Sequence, residues 1–191
     1  PHIMGILNVT PDSFSDGGQF NAVDKAVIHC QQMIAAGATI IDIGGESTRP
    51  NADSVSTSEE IHRVVPMVQA IREHCGHSIW LSIDTSNPLV IEAAFDAGAD
   101  IWNDVRALKR EGAAAMAVKL DIPVMLMHMR GEPTTMNSLA QYDDVIKEVI
   151  DELAARVDEV TSIGVKREKI IVDPGFGFAK DYEHHRALLS Q

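Results

Sequence analysis

Along this sequence, several short apolar runs are each followed by a polar residue, a pattern that is typical of an active site. Six runs are typical of β-strands: residues 2–9, 39–44, 79–83, 100–102, 123–127 and 169–172. The polar residues that end them are Asn8, Glu46, Asp84, Asn103, His128 and Asp173. In proteins built on parallel strands, the carboxyl ends of the strands meet at one rim, where the chemistry takes place. One such residue would be ordinary, because strand ends meet water, but the succession predicts a functional rim.

Two loops that follow the first two runs add candidate ligand-binding residues. Residues 8–18 are rich in turn-forming residues and include an aromatic side chain, Phe14. Residues 44–50 contain small residues, which let backbone N–H groups approach a ligand, and the cation Arg49. The planar guanidinium of arginine suits phosphate oxygens. Composition alone leaves a second interpretation open, in which both segments are ordinary solvated loops.

Helical patterns alternate with the strand-like runs throughout the sequence. Apolar spacing predicts helices over residues 23–36, 59–75, 89–97, 113–120 and 143–163. Thr57 with Glu60 resembles a capping box, and Asn87 with Pro88 is typical of a helix start. Glycines suited to C-terminal caps stand between helix and strand at Gly37, Gly98 and Gly164. The alternation predicts an α/β protein with parallel strands.

Two parallel architectures are compatible with this alternation, an open doubly wound sheet and a (β/α)8 barrel. The sequence contains neither the GxGxxG turn of a dinucleotide fold nor a GxxxxGK[ST] phosphate loop. Polar residues at every predicted strand end, rather than at one switch point, favour the (β/α)8 TIM barrel. Only about six βα units are present, whereas a whole barrel takes about 250 residues. We therefore expect residues 1–191 to form one barrel domain that stops early at its C-terminal end.

Composition narrows the range of partners. The net charge is −12, and no cluster of Lys and Arg offsets the 28 acidic residues, which argues against a nucleic-acid surface. No apolar run reaches the ~20 residues that a membrane span needs. Cys30 and Cys75 both fall in helical patterns without metal-ligand spacing, which favours a reducing, cytoplasmic setting. The eight histidines lack HxH or HExxH spacing, so zinc chemistry is not expected.

Together these segments resemble a known enzyme family. The resemblance rests on the loops at 8–18 and 44–50, on Ile83-Asp84-Thr85-Ser86, Asn103-Asp104 and Met127-His128-Met129, and on residues 173–178, Asp-Pro-Gly-Phe-Gly-Phe. The same motifs occur in the same order in bacterial dihydropteroate synthases, and the likeness covers essentially the whole chain. The resemblance implies a (β/α)8 barrel that condenses 6-hydroxymethyl-7,8-dihydropterin pyrophosphate with p-aminobenzoate in folate synthesis. It also implies Mg2+ as cofactor, a homodimer in the full-length protein and an enzyme of the class that sulfonamide drugs target.

The resemblance also implies a set of pterin-binding residues. Asp173 and Asn103 would bind the pyrimidine edge of the pterin, where a carboxylate can accept two donors and an amide can both donate and accept. Asp84 would contact the same heterocycle and would act in catalysis by offering negative charge where a pterin cation forms. Met127 and Phe178 would pack against the ring, although plain core packing is an equal alternative for Met127.

The remaining implied residues concern the diphosphate, the metal and the second substrate. By resemblance, Asn8 would be a metal ligand, since Mg2+ prefers hard oxygen ligands and shares them with substrate phosphates. Thr48 and Arg49 would lie near the diphosphate and the p-aminobenzoate, with Arg49 a second catalytic residue. Phe14 and Pro50 would wall the p-aminobenzoate pocket when the loops close.

The resemblance does not supply every functional group of the family. Its last two strands carry a lysine, an arginine and a histidine for which residues 1–191 offer no counterpart, and Lys180 is not expected to replace them. A polypeptide that ends at Gln191 is therefore expected to be poorly stable and inactive. Two other functions stay open: the pterin-binding domain of a corrinoid-dependent methyltransferase, and a catalytically silent pterin-binding protein. The loops at 8–18 and 44–50 argue against the methyltransferase.

Overall fold

The computed structural model describes residues 1–9, 18–46, 55–132 and 134–190, with the backbone alone for residues 18–21. These residues divide into two compact units, one that extends to Asn103 and a second that begins at Asp104. Both units alternate parallel strands with helices, so the α/β prediction is confirmed. The expectation of a single barrel domain over 1–191 stays a prediction.

The first unit contains four parallel strands separated by three helices. The elements in chain order are β1 (Met4–Asn8), α1 (Gly18–Ala35), β2 (Ile40–Gly44), α2 (Thr57–Cys75), β3 (Trp80–Asp84), α3 (Pro88–Asp96) and β4 (Ile101–Asp104). Neighbours in sequence pair side by side, β1 with β2, β2 with β3, and β3 with β4. This is the pattern of successive βα units that the sequence predicts.

The second unit contains two parallel strands, β5 and β6, that pair directly. Its elements are α4 (Ala113–Leu120), β5 (Val124–Met127), a 3-10 turn (Met136–Leu139), α5 (Val145–Ile163), a second 3-10 turn (Arg167–Lys169), β6 (Ile170–Asp173) and α6 (Tyr182–Leu189). α6 was not predicted from the sequence. The signal for it is Asp181, which caps the helix reciprocally with His184.

Alternate strand residues in the first unit face opposite environments. Leu7, Ile43, Ile83 and Trp102 share one rung of the sheet and are fully or almost fully buried. The residues next to them along each strand point to the other face, and this face is polar toward the carboxyl ends of the strands. The period-2 alternation therefore places polar side chains on the face opposite the apolar core.

Several local predictions can be compared with the structure. Asn87 caps α3 by accepting from the Leu89 N–H at 3.0 Å, with Pro88 first in the helix, as predicted. The predicted capping box at Thr57 is wrong by one residue, because Ser56 Oγ accepts from the Glu59 N–H at 3.2 Å. β2 ends at Gly44, the last residue of the predicted run 39–44, and Glu46 lies two residues beyond the strand.

Candidate functional site

Four residues at the carboxyl ends of the first unit's strands form one continuous row. Asn8 pairs with Gly44, Gly44 with Asp84, and Asp84 with Asn103 in the strand register. Because paired residues of parallel strands point to the same face, the three side chains project from one rung. The sequence prediction that Asn8, Asp84 and Asn103 share a rim is confirmed within this unit.

Gly44 leaves open the space between two of these side chains. A Cβ atom placed on Gly44 would lie 3.5 Å from Asp84 Oδ2 and 3.7 Å from Asn8 Oδ1. Two oxygens therefore converge above a residue without a side chain. Glycine is required at position 45 for a different reason. A Cβ there would lie 2.8 Å from Val64 Cγ2 of α2, so close helix packing rather than ligand approach demands the small residue.

A buried carboxylate lies one rung below this row. Asp42 is 6% exposed, and its Oδ2 accepts from Asn103 Nδ2 at 3.1 Å. Burial raises the pKa of Asp42 above its ordinary value, while Ser82 and Asn103 oppose that rise. Asp42 Oδ1 and Ser82 Oγ nevertheless make no full hydrogen bond with any residue that the structure describes. The bond to Asn103 orients the amide, since it fixes which side of Asn103 carries the N–H groups.

Buried hydrogen bonds also hold the backbone that follows Asp84. Thr85 Oγ1 donates to Glu60 Oε1 at 2.6 Å, and the Thr85 carbonyl accepts from Trp102 Nε1 at 2.7 Å. The Thr85 N–H donates to the Asn103 carbonyl at 3.1 Å. Asp84 and Asn103 are thus joined through Thr85. Sequence reasoning missed Asp42, Glu60 and Thr85 as supporting residues, because their hydrogen-bond partners are distant in sequence.

The second unit presents its own pair of predicted residues at the ends of β5 and β6. Met127 and Asp173 are register partners, so they share the last rung of this pair of strands. Asp173 Oδ1 accepts from the Gly175 N–H at 2.7 Å, which fixes the carboxylate against its own loop. Each carboxylate oxygen has two acceptor positions, so this bond leaves capacity for a ligand.

Gly175 is required by a close backbone approach. It has φ +72, and a Cβ there would lie 2.1 Å from the His128 carbonyl oxygen. The His128 N–H in turn donates to the Asp173 carbonyl at 2.9 Å. The segment after β5 and the segment after β6 are therefore in direct contact, which only glycine permits at this position.

Met127 belongs to a buried apolar cluster. Its members are Val105, Met127, Met129, Met136 and Ala179, with the partly buried Phe178 packed against them. The core-packing alternative raised for Met127 is therefore supported, and Phe178 is the member that remains partly accessible. Met127 and Phe178 thus belong to the same cluster, and their packing against a pterin stays a prediction.

Lys180 is the centre of a polar network in the second unit. This lysine is 8% exposed, and its Nζ lies 2.9 Å from His128 Nδ1, 3.0 Å from the Phe178 carbonyl oxygen and 3.2 Å from that of Gly175. His128 Nε2 lies 3.0 Å from Glu152 Oε2. Because Nδ1 faces an ammonium, Nε2 carries the proton of a neutral imidazole and donates it to Glu152.

The pKa values in this network follow from burial and charge. Desolvation lowers the pKa of Lys180 to about 8, against the opposing charges of Asp173 and Glu152. Desolvation, then the charge of Lys180, lowers the pKa of His128. Desolvation would raise the pKa of Glu152, but Arg130 and His128 bring it below its ordinary value. The network therefore holds a neutral imidazole between a cation and an anion.

Of the five remaining predicted site residues, the structure describes only Asn8. Phe14, Thr48, Arg49 and Pro50 lie outside the described residues. Asn8 is described and exposed at the end of β1. Among the described residues, no group of three or more His, Cys, Asp or Glu side chains is placed to hold a metal. No helix of the described part is long and apolar enough to cross a membrane.

Parallel βα units that carry polar residues at their strand ends are typical of α/β enzymes. The chain matches the family of pterin binding enzymes over residues 4–191 and belongs to this family. It is 51% identical to a dihydropteroate synthase of Haemophilus influenzae over 99% of this chain and 68% of that protein. It is 50% identical to one of Escherichia coli over 100% of this chain and 67% of that protein.

Solved structures agree with these relatives. A Yersinia pestis dihydropteroate synthase with a sulfonamide drug complex has a TM-score of 0.91 at 47% identity, covering 100% of this chain and 68% of that one. A Xanthomonas albilineans dihydropteroate synthase with 4-aminobenzoic acid has a TM-score of 0.89 at 42% identity, covering 100% and 67%. The predicted fold and the predicted relation to dihydropteroate synthases are confirmed. The chain spans about two thirds of the length of these relatives.

Proposed function

We propose that this protein acts as a dihydropteroate synthase, which joins 6-hydroxymethyl-7,8-dihydropterin pyrophosphate to p-aminobenzoate and releases pyrophosphate. Relatives at about half identity over the whole chain carry that name, and one solved relative holds 4-aminobenzoic acid. The single structural observation that carries the proposal is the row Asn8, Gly44, Asp84 and Asn103 at one rung of the strand ends.

Pterin recognition is proposed for residues of each unit. In the first unit, Asn103 offers an amide whose orientation is set by the buried Asp42. In the second unit, Asp173 offers a carboxylate that is fixed by Gly175, and Phe178 offers an aromatic surface beside Met127. A carboxylate accepts the adjacent donors of a pterin amino group and ring N–H, which a neutral amide matches only in part.

The proposed reaction needs electrostatic stabilisation rather than a nucleophilic residue. The C–O bond to pyrophosphate breaks and its electron pair leaves with the phosphate, which produces a pterin cation. The arylamine nitrogen then forms the new C–N bond and loses a proton. Asp84 would stabilise the cation, and Arg49 would neutralise the departing charge. Positioning and preorganised charge would supply the acceleration.

Mg2+ is proposed as cofactor, with Asn8 as its protein ligand. An exposed amide oxygen beside Asp84 Oδ2 fits a cation that keeps few protein ligands and takes its others from water and substrate phosphates. The metal would neutralise pyrophosphate charge. Thr48 and Arg49 are proposed to contact the diphosphate and the p-aminobenzoate, and Phe14 and Pro50 to line the p-aminobenzoate pocket. A homodimer and a cytoplasmic location are also proposed, the latter because both cysteines are free thiols.

The decisive experiment supplies both substrates with Mg2+ to a polypeptide that contains residues 1–191 and has the ~250 residues of a whole barrel, and it measures dihydropteroate and pyrophosphate in equal amounts. The proposal expects both products, and expects a sulfonamide to compete with p-aminobenzoate. Binding of the pterin without any product would instead indicate a silent pterin-binding protein. Transfer of a methyl group from a methylated pterin to a corrinoid would indicate the methyltransferase class.

A further inference from the structure

The loop from Asp173 to Lys180 has an unusual backbone that needs external support. Gly175, Gly177 and Ala179 all have positive φ, at +72, +84 and +49. Ala179 has a side chain and is therefore in a conformation that costs free energy unless the surroundings hold it. This loop begins with Asp173 and contains Phe178, the two residues proposed above to contact the pterin in this unit.

The support comes from side chains that bind the loop carbonyls. Lys180 Nζ donates to the carbonyls of Gly175 and Phe178, and Tyr142 Oη donates to the Ala179 carbonyl at 2.9 Å. The third donor of the ammonium reaches His128 Nδ1. A buried charge is tolerated only when its hydrogen-bonding capacity is satisfied, and all three donors of Lys180 have acceptors here.

We propose that Lys180 is a positioning residue of the pterin site: its ammonium fixes the loop between Asp173 and Phe178 in the conformation that binds the pterin. The role rests on the proposed function of that site. Lys180 acts through the backbone and through His128, and it does not contact the substrate itself.

Protonation of Lys180 is expected to matter for this role. A neutral amine has two donors instead of three, and its lone pair would face an acceptor. The charged groups that face the ammonium are Asp173, Glu152 and Arg130, with His128 in direct contact. Glu152 and Arg130 form an ion pair with each other, and Tyr142 lies beneath the Arg130 guanidinium at 4.0 Å. Loss of the Lys180 proton above about pH 8 should therefore loosen the loop.

The test measures the affinity for 6-hydroxymethylpterin by calorimetry in the parent, in Lys180→Met and in Lys166→Met. Lys166 is a half-exposed lysine paired with Asp121, and it precedes β6 whereas the loop follows β6, so its variant removes an equal charge at the other end of that strand. We expect Lys180→Met to bind about ten- to a hundredfold more weakly and Lys166→Met to bind like the parent. The loss in Lys180→Met should shrink above about pH 8, because the parent then loses the same ammonium. The ligand's own titration is common to all three proteins and cancels in the ratio.

A second readout does not depend on any ligand. In Lys180→Met the pKa of His128 should rise, because the neighbouring positive charge is gone, and NMR of the imidazole can follow this against His128→Gln for assignment. Lys180→Gln, which keeps N–H donors without charge, serves in both measurements if Lys180→Met does not fold. It should bind better than Lys180→Met, and its smaller loss relative to the parent should likewise shrink above about pH 8.

The outcomes separate the two claims. The role of Lys180 is wrong, and the proposed function stands, if Lys180→Met and Lys180→Gln bind the pterin as tightly as the parent at pH 7. The same conclusion follows if Lys166→Met loses as much affinity as the two Lys180 variants. An unchanged His128 pKa would also overturn the role. If the parent itself binds no pterin, the proposed function fails and takes this role with it.

Discussion

Each unit supports its candidate ligand-binding residue with one buried titratable side chain, an acid in the first unit and a base in the second, and the two differ in how completely their hydrogen bonds are satisfied. In the first unit Asp42 binds Asn103 with one oxygen, while its other oxygen has no hydrogen bond to a described residue. In the second unit Lys180 has an acceptor for each of its three donors. The buried carboxylate therefore orients one side chain, whereas the buried ammonium orients a backbone loop.

The difference shows how each unit obtains a rigid site. Asn103 sits on a strand, so its backbone is already fixed by β4 and only its amide needs orientation. Asp173 stands at the end of β6, and the residues that follow it leave the sheet in a loop with positive φ values. A loop needs several carbonyl contacts at once, and an ammonium with three donors can supply them.

The largest effect is expected for Asp84, which the first unit is proposed to use in the transition state. Asp84→Asn keeps the shape but removes the negative charge that would face the pterin cation. We expect kcat to fall by about 10²–10³-fold, with a smaller effect on pterin affinity, because preorganised charge acts mainly in the transition state. Steady-state kinetics with both substrates measures the two effects separately. If Asp84→Asn changed kcat and pterin affinity by the same factor, Asp84 would not act mainly in the transition state.

Asp173→Asn tests the corresponding residue of the second unit. The substitution replaces an acceptor by an N–H that would face a pterin donor, and the mismatch should cost about 2–4 kcal/mol of binding free energy. Calorimetry with 6-hydroxymethylpterin measures it, with Asp181→Asn as a matched control on α6, where asparagine is also a good helix cap. Affinity like that of the parent would exclude Asp173 from the site.

Much of this arrangement could be predicted from the sequence because strand ends are visible in it. Asp84, Asn103 and Asp173 each follow an apolar run, and each lies at or within one residue of a strand end in the structure. Asn8 could be placed by the same reasoning. The alternation of short apolar runs with segments of helical period 3.6 predicted the α/β class, since each pattern belongs to one kind of element.

The supporting charges could not be predicted because their partners are distant in sequence. Lys180 and His128 are 52 residues apart, and Asp42 and Asn103 are 61 apart. Sequence reasoning set Lys180 aside because it lies beyond the loop of the sixth strand. Its value as a donor depends on two loops that meet at Gly175, a contact that no local pattern reveals.

Two glycine substitutions, one in each unit, should differ in how much they lower the free energy of unfolding. Gly175→Ala would place a Cβ 2.1 Å from the His128 carbonyl in a backbone with φ +72, whereas Gly44→Ala would meet only ordinary contacts at 3.5 Å or more. We expect the first to lower the free energy of unfolding by about 2–4 kcal/mol and the second by less than about 1 kcal/mol. Urea denaturation measures both. Similar losses would show that the contact at Gly175 relaxes without cost.

The smallest effect concerns the pH dependence of stability. Burial raises the folded-state pKa of Asp42 above the unfolded value of about 3.9, so the folded state binds more protons in the window between the two values. Ionisation of Asp42 is therefore a cost to folding, and its contribution to the free energy of unfolding should fall as pH rises through that window. Asp42→Asn should abolish this slope.

Asp121→Asn provides a comparison of opposite sign. Hydrogen bonds from Lys166 and Lys169 hold the pKa of the exposed Asp121 below its ordinary value, so its contribution to stability should be present above the unfolded pKa and be lost as pH falls. Asparagine also tolerates the left-handed backbone of Asp121, which has φ +51 and ends α4, so the substitution changes mainly the charge. Urea denaturation of the parent and both variants between pH 3 and 7 measures the two differences. If the difference between the parent and Asp42→Asn grows with pH in favour of the parent, Asp42 is stabilised as an anion by groups near it, and the first unit's buried charge is then as well satisfied as Lys180.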